Sequence, residues 1–139
     1  MKILILILVE VFCIATLLGC ETGIAVKGQV FESDNNSGKS YLKIVSEDNQ
    51  ISDSALQPLD GVKVELLMPS EYTGELKNPW RQETTGPDGT FRLVKIVPRE
   101  HYKFRIRMSR EGHEAIEIEL DFPRDARATL AGVMIKKQQ

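Results

Sequence analysis

The chain has 139 residues, of which 42% are hydrophobic and 27% charged, and its formal net charge is -2. This length supports a single domain. Because the net charge is small and the basic residues are scattered, nucleic acid is excluded as a partner and nothing indicates a strongly acidic ligand.

The first 19 residues are predicted to be a signal peptide. Lys2 gives a positive start, residues 3–18 are almost wholly apolar, and the segment ends in the sequence LLGC at residues 17–20. This ending resembles the bacterial lipobox, which implies cleavage before Cys20 and a lipid carrying acyl chains such as palmitate on its thiol. An uncleaved transmembrane anchor is the alternative, but the run is short and Glu10 interrupts it, at a cost of roughly 2.5–3.5 kcal/mol at the centre of a spanning helix.

Cleavage would leave 139 − 19 = 120 residues, beginning with a lipidated cysteine and a short tether at 20–23. Cys13 would leave with the signal peptide, so the mature chain would form no disulfide. A tether this short reaches roughly 10–14 Å when extended, so we expect the domain to lie against the membrane. Glu21 differs from the aspartate that commonly retains such lipoproteins at the inner membrane, which favours the outer membrane over the cell membrane.

The first predicted strand covers residues 24–30, where apolar and polar residues alternate. Gly28 in mid-strand predicts a bulge or a close approach of another backbone. Residues 32–57 are mostly polar and are interpreted as an insertion, within which residues 41–45 are a candidate edge strand.

The next strand carries Val62, Val64 and Leu66 inward. A second long connection, residues 69–79, contains Tyr72, and Trp80 opens the strand after it.

The sequence TTGPDGTF at residues 84–91 predicts a tight β-hairpin, with Gly89 at φ > 0 and with Phe91 and Leu93 inward. Residues 94–97 break the alternation of polar and apolar residues, which predicts a bulge or a change of face.

A further hairpin is predicted from alternation over 102–108 and 116–120, joined by a loop with Gly112 in the left-handed region. A three-residue loop places Ile106 opposite Ile116, and it sets Arg105 against Glu117 and Lys103 against Glu119 on the solvent face. Residues 129–136 are predicted to be the closing strand.

Three motifs in this order, PLDGVKV (58–64), TTGPDGTF (84–91) and VPREHY (97–102), resemble the carboxypeptidase regulatory-like domain. The resemblance covers residues 24–31 and 58–136. It implies an all-β fold over 24–136, a single seven-stranded transthyretin-like or Ig-like antiparallel sandwich that follows the N-terminal signal segment. The seven strand candidates and frequent turns favour the same architecture.

No catalytic, metal or cofactor site is predicted. His101 and His113 are expected to be solvated residues at strand ends, because a catalytic zinc needs three protein ligands. Asp34 opens a sequence similar to a calcium loop, but Val45 stands where the bidentate glutamate belongs. Hydroxyisourate hydrolase shares the transthyretin-like fold, but its first-strand histidine and its Tyr-Arg-Gly-Ser ending are both missing here.

The chain is therefore interpreted as a non-enzymatic cell-envelope lipoprotein whose sandwich is a binding or structural module. The alternatives are an accessory subunit of an envelope or secretion complex, as in some type VI secretion lipoproteins, and a glycan-binding surface module. Tyr41, Tyr72 and Trp80 are the candidate partner contacts, because aromatic residues are enriched at interface hot spots. Trp80 is also expected to cap the core.

Overall fold

A computed structural model describes residues 23–34, 38–46, 55–69 and 79–138. These residues form nine strands: β1 (Gly23–Ser33), β2 (Tyr41–Val45), β3 (Leu56–Pro58), β4 (Lys63–Leu67), β5 (Arg81–Thr84), β6 (Thr90–Ile96), β7 (Tyr102–Ser109), β8 (Ile116–Phe122) and β9 (Thr129–Met134). The predicted signal peptide and the tether as far as Thr22 lie outside the described residues, and so does Tyr72.

The strands form two sheets that pack face to face, which confirms the predicted all-β sandwich. Sheet A has the order β2-β9-β1-β3, with β6 also paired to β1, and sheet B has the order β5-β4-β7-β8. Two details differ from the sequence-based prediction. β1 and β9 run parallel, so the sandwich is not wholly antiparallel. The predicted insertion 32–57 also contributes β2 and β3 to sheet A, which raises the count above seven in the described chain.

The core consists of the side chains that alternate inward from the two sheets. In β7 the alternation is strict, with apolar residues buried and cationic residues exposed. Burial of each large apolar side chain stabilises the fold by about 1.5–3 kcal/mol. The completely buried residues, each with no exposed surface, include Ile24, Val26, Val30, Val62, Val64, Leu66, Ile106, Met108 and Met134.

The turn at residues 86–89 forms as predicted, but it does not close a hairpin. The Gly89 amide donates to the Gly86 carbonyl at 2.8 Å, and Gly89 has a φ of 72°. Phe91 and Leu93 are buried, as expected. However, β5 pairs with β4 in sheet B, whereas β6 pairs with β1 in sheet A. The turn therefore carries the chain from one sheet to the other.

Thr85 explains why the chain changes sheets at this turn. Its hydroxyl is buried, donates to the Leu59 carbonyl at 2.8 Å and accepts from the Val62 amide at 2.9 Å. On the other side of the turn, the Val30 amide donates to the Gly89 carbonyl at 2.9 Å. The start of the turn is thus attached to the segment before β4, and its end to β1. Local turn chemistry could not reveal these distant partners.

Gly28 confirms the predicted close approach. A Cβ atom at this position would lie 2.2 Å from the Leu130 carbonyl oxygen and 2.8 Å from the Phe91 ring. In contrast, residues 94–97 contain no change of face. Alternation continues along β6 to Val97, which is buried, and it leaves Val94 and Ile96 exposed on the outer side.

The β7–β8 hairpin has a register two residues away from the predicted one. Met108 lies opposite Ile116, Ile106 opposite Ile118 and Arg105 opposite Glu119. The connection spans residues 110–115, and within it His113 forms a β-bridge to Lys136. Gly112 does take the left-handed conformation, with a φ of 80°. A shift of two preserves the faces, so the buried and solvent-exposed sets are unchanged.

Candidate functional site

The outer face of sheet A is the surface on which candidate binding residues converge. On β1 the even-numbered residues point into the core, so Lys27, Gln29 and Phe31 point outward. Strand pairing sets residues of β2, β9 and β6 beside them in rows across the sheet. The outward residues of these strands include Gly23, Ala25, Lys27, Gln29, Phe31, Tyr41, Lys43, Val45, Thr90, Arg92, Val94, Ile96, Thr129, Ala131 and Val133.

The row of outward residues farthest from the start of β1 contains two aromatic side chains and is termed the aromatic row. Val133 pairs with Tyr41 on one side and with Phe31 on the other. Val133 is only 3% exposed although it is not part of the core cluster, whereas Tyr41 is 42% exposed. Lys43 places its Nζ 5.7 Å from the centroid of the Tyr41 ring. Of the two predicted contacts that lie within the described residues, Tyr41 and Trp80, Tyr41 is therefore the one that presents an accessible ring beside other apolar groups.

The middle of the face is a groove with a positive border. It has a volume of about 590 Å³ and its lining includes Phe31, Val45, Thr129, Lys27 and Arg92. Lys27 and Arg92 lie opposite each other across the β1–β6 ladder. Together with Lys43 they make three cations, and among the described residues of β1, β2, β6 and β9 no carboxylate points outward on this face. The weak net charge of the chain gave no sign of this local excess.

Trp80 lies at the other sheet's margin and does not join this face. Its side chain is half-buried and packs against the core, as the sequence predicted. Its backbone amide donates to the Leu66 carbonyl at 2.9 Å. Lys95 also covers the ring, with Nζ 5.0 Å from its centroid. Trp80 is thus largely occupied by contacts within the domain.

His113 corrects an expectation, because it is buried rather than solvated. It is 5% exposed, and its Nε2 atom lies 2.5 Å from the Glu32 carboxylate at the end of β1. Its Nδ1 atom is 3.2 Å from the Glu111 carbonyl oxygen, and Lys136 lies 3.5 Å from the same carboxylate. His101 is exposed, as expected.

Glu32 has a perturbed acidity in this cluster. Burial acts to raise its pKa, but the hydrogen bond with His113 and the positive charge of Lys136 outweigh burial, so the pKa lies below its usual value. The contacts of this cluster join β1 to the β7–β8 connection and, through Lys136, to the segment after β9. We therefore interpret the cluster as a structural tie.

Within 23–34, 38–46, 55–69 and 79–138, no three histidine, cysteine or acidic side chains lie close enough to hold a metal ion. The same ranges contain no helix with the length and apolarity needed to cross a membrane.

Sequence reasoning missed Phe31, Lys27 and Arg92 as members of one face. The sequence did contain a sign that Phe31 is on the outer face. It is an odd-numbered residue of β1, like the polar residues Lys27 and Gln29, and odd-numbered residues of this strand point away from the core. The pairing of Lys27 with Arg92 required the sheet register and had no local signal.

No protein-family model and no curated protein matches the chain. Among solved structures, it is similar to the shaft pilin SpaA from Lactobacillus rhamnosus GG. A point mutant of that pilin aligns with a TM-score of 0.53 and 15% identity, over 84% of this chain and 52% of the pilin. A double mutant aligns with a TM-score of 0.50 and 15% identity, over 84% and 51%.

The chain spans about half the length of the pilins it resembles. At 15% identity the likeness shows a shared β-sandwich fold. The 3-chlorocatechol 1,2-dioxygenase from Rhodococcus opacus 1CP aligns with a TM-score of 0.49 and 14% identity, over 83% of this chain and 60% of the enzyme.

Proposed function

We propose that this chain is a cell-envelope lipoprotein, attached through a lipid on Cys20, whose non-catalytic sandwich binds another envelope protein. We assign the domain to the carboxypeptidase regulatory-like class on the three motifs between residues 58 and 102. The likeness of the fold to shaft pilins supports a structural module rather than an enzyme.

The observation that carries the binding role is the aromatic row on the outer face of sheet A. Tyr41, Val133 and Phe31 form a continuous apolar strip on a face that should otherwise be solvated. Aromatic residues are enriched in interface cores, and Tyr41 keeps 42% of its surface exposed beside the buried Val133. Lys43, which lies beside the Tyr41 ring, favours a partner with an acidic surface, since complementary charge steers association and fixes orientation.

The edge of the sheet supports a protein partner over a glycan. β2 is the outermost strand of sheet A among the described residues, and it exposes Ile44 (48%) as well as Tyr41. Such an edge can accept a strand from another chain. The glycan alternative depends on the aromatic residues of both long loops, Tyr41, Tyr72 and Trp80, and the packing of Trp80 against the core argues against a role for Trp80 in it. A subunit of an envelope or secretion complex would be one form of this proposal.

Photo-crosslinking in intact cells tests the binding role. A photoreactive amino acid at Tyr41 should give a discrete crosslinked product with one envelope protein, and the same group at Gln82, which is exposed on sheet B, should not. Point substitutions test this face better than deletion of residues 32–57 would, because residues 41–45 are a strand of sheet A and their deletion would disturb the fold. Tyr41→Ala combined with Lys43→Glu should lower recovery of the partner at least tenfold.

Membrane fractionation tests the anchor separately. Cys20→Ser should release the protein from membranes, because serine has no thiol to carry the lipid. Without the acyl chains of that lipid the domain loses its stable attachment to the bilayer. In the crosslinking experiment, equal products from positions 41 and 82 would contradict the proposal that the outer face of sheet A binds a protein. Normal acylation and membrane retention of the Cys20→Ser protein would contradict the lipoprotein assignment.

A further inference from the structure

We propose that the anchor-proximal end of the outer face of sheet A rests on the lipid bilayer, with Val94 and Ile96 inserted at the interface. This end is defined by Gly23 and Ala25 of β1 and by Val94 and Ile96 of β6. The inference rests on the lipid anchor of the proposed function and specifies which surface of the domain meets the membrane.

The first support is proximity to the attachment point. Gly23 lies directly opposite Ile96, and Ala25 lies opposite Val94. Gly23 follows Cys20 by three residues in the sequence. Such a segment spans at most about 10–11 Å when extended. A lipid on Cys20 therefore holds Ile96 within a short distance of the bilayer surface.

The second support is exposed apolar surface at that end. Ile96 is 80% exposed and Val94 is 47% exposed, and they are two of the four exposed large hydrophobic side chains among the described residues. Their cross-strand neighbours, Gly23 and Ala25, are too small to cover them. Continued alternation along β6 points both side chains the same way, so they can enter an apolar medium together.

The third support is the position of the cations. Lys27 and Arg92 form the row two residues farther along the sheet, about 6.6–6.8 Å from Val94 at the usual rise of a strand. Apolar side chains of an interfacial element sit about 5–10 Å deep, with cations at the level of the headgroups. This order places both cations beside lipid phosphates, which attract them on an anionic surface.

The arrangement also leaves the proposed protein-binding row free. Phe31 follows Gly23 by eight residues in β1, which is about 26 Å along the strand. The aromatic row lies on the same face but at this distance along the strand, so a sandwich inclined to the bilayer keeps the row above the headgroups while the anchor end lies on the membrane. Both roles fit one orientation of the sandwich.

Trp80 provides a native reporter, because it is the only tryptophan in the chain. It lies beside this end of β6, where Lys95 covers its ring and Arg81, the next residue, donates to the Val94 carbonyl at 3.1 Å. The lipidated protein is reconstituted into phosphatidylglycerol vesicles that contain lipids brominated near the headgroup. Mass spectrometry first verifies the lipid on Cys20.

We expect the brominated lipids to quench Trp80 fluorescence, and Ile96→Glu to reduce that quenching at least twofold. Ile44→Glu is the matched control, since Ile44 is the same residue type, is also exposed and lies on the opposite edge of sheet A. Quenching should also weaken when phosphatidylcholine replaces phosphatidylglycerol, because the cations then lose their anionic partners. Circular dichroism verifies that both variants fold.

The outcomes separate the two proposals. A protein that carries no lipid on Cys20 would overturn the lipoprotein assignment and, with it, this inference. A lipidated protein whose Trp80 is not quenched, or whose Ile96→Glu and Ile44→Glu variants behave alike, would overturn the membrane contact alone. Equal quenching in both lipids would overturn the role assigned to Lys27 and Arg92.

Discussion

His113 Nε2 and Glu32 Oε2 lie 2.5 Å apart, although 81 residues separate them in the chain. The contact joins the end of β1 in sheet A to the connection between β7 and β8 of sheet B. Lys136 extends the tie to the segment after β9 through its 3.5 Å ion pair with Glu32. One acidic side chain thus links three distant segments at one end of the sandwich.

The Glu32–His113 pair should make stability depend on pH. The folded-state pKa of Glu32 is below the ordinary value of 4.5, so the unfolded chain binds this proton more readily than the folded chain. Its stabilising contribution is therefore complete above about pH 4.5 and is lost as the pH falls through the lower folded-state pKa. Glu32→Gln should lower the free energy of unfolding by about 1–3 kcal/mol at neutral pH.

Urea unfolding from neutral pH down to about pH 3 measures this effect. The difference between wild type and Glu32→Gln should shrink as the wild-type carboxylate becomes protonated. Glu114→Gln is the control, because Glu114 is an exposed glutamate beside His113. A difference for Glu32→Gln that stays constant across this pH range would contradict the assignment.

Thr85→Val should destabilise the fold by removing both hydrogen bonds of the buried hydroxyl. The Leu59 carbonyl and the Val62 amide would each lose a partner, at about 1–3 kcal/mol for each buried group left unsatisfied. Thr84→Val, at the neighbouring exposed position, should change the free energy of unfolding by no more than about 0.5 kcal/mol. Thermal or urea unfolding of the two variants measures the contrast, and equal losses would show that the turn does not depend on this hydroxyl.

Gly28→Ala should be among the most damaging small substitutions. The new Cβ would lie 2.2 Å from the Leu130 carbonyl oxygen, and this backbone atom cannot retreat without disturbing the β1–β9 ladder. We expect a loss of about 3 kcal/mol, the upper end of the usual cost of overpacking.

Gly86→Ala provides the comparison for Gly28→Ala. Its Cβ would meet only the Asp88 carboxylate, at an ordinary 3.6 Å, and we expect little change in the urea midpoint. A Gly28→Ala protein as stable as Gly86→Ala would mean that the two strands are farther apart than the structure shows.

Glu117→Gln should have a small effect despite its short ion pair. Arg105 Nη1 lies 2.9 Å from Glu117 Oε1, but both side chains are more than a third exposed. Exposed pairs of this kind contribute about 0.2–1 kcal/mol, and salt screens them. Urea unfolding at low and high salt should show a loss that fades with salt. Glu111→Gln, at an exposed loop position, serves as the baseline, and a salt-independent loss would contradict this account.

The ion pairs on this hairpin show how far sequence reasoning reached. Charge alternation correctly predicted Arg105 with Glu117 and Lys103 with Glu119. The residues meet diagonally, since Glu119 stands directly opposite Arg105. Long side chains reach diagonal neighbours on a sheet. The pairs were therefore predictable even though the predicted register differs from the observed register by two residues.

The sequence alone determined the sandwich, the inward faces of its strands and the tight turns. These features follow from period-two alternation and from residues such as Gly89 and Gly112, whose conformational needs are local. It also identified Tyr41 as an aromatic residue at a candidate edge strand, a position that the structure describes as exposed in β2.

Only the tertiary structure decided which segments meet. The change of sheet at Thr85, the His113–Glu32 tie and the row of Tyr41, Val133 and Phe31 all join residues far apart in the chain. Local propensity contains no information about such pairings, because they depend on how whole sheets align and close over a shared core. For the same reason, only the strand pairing shows that Lys27, Lys43 and Arg92, which are far apart in a nearly neutral chain, lie on one face.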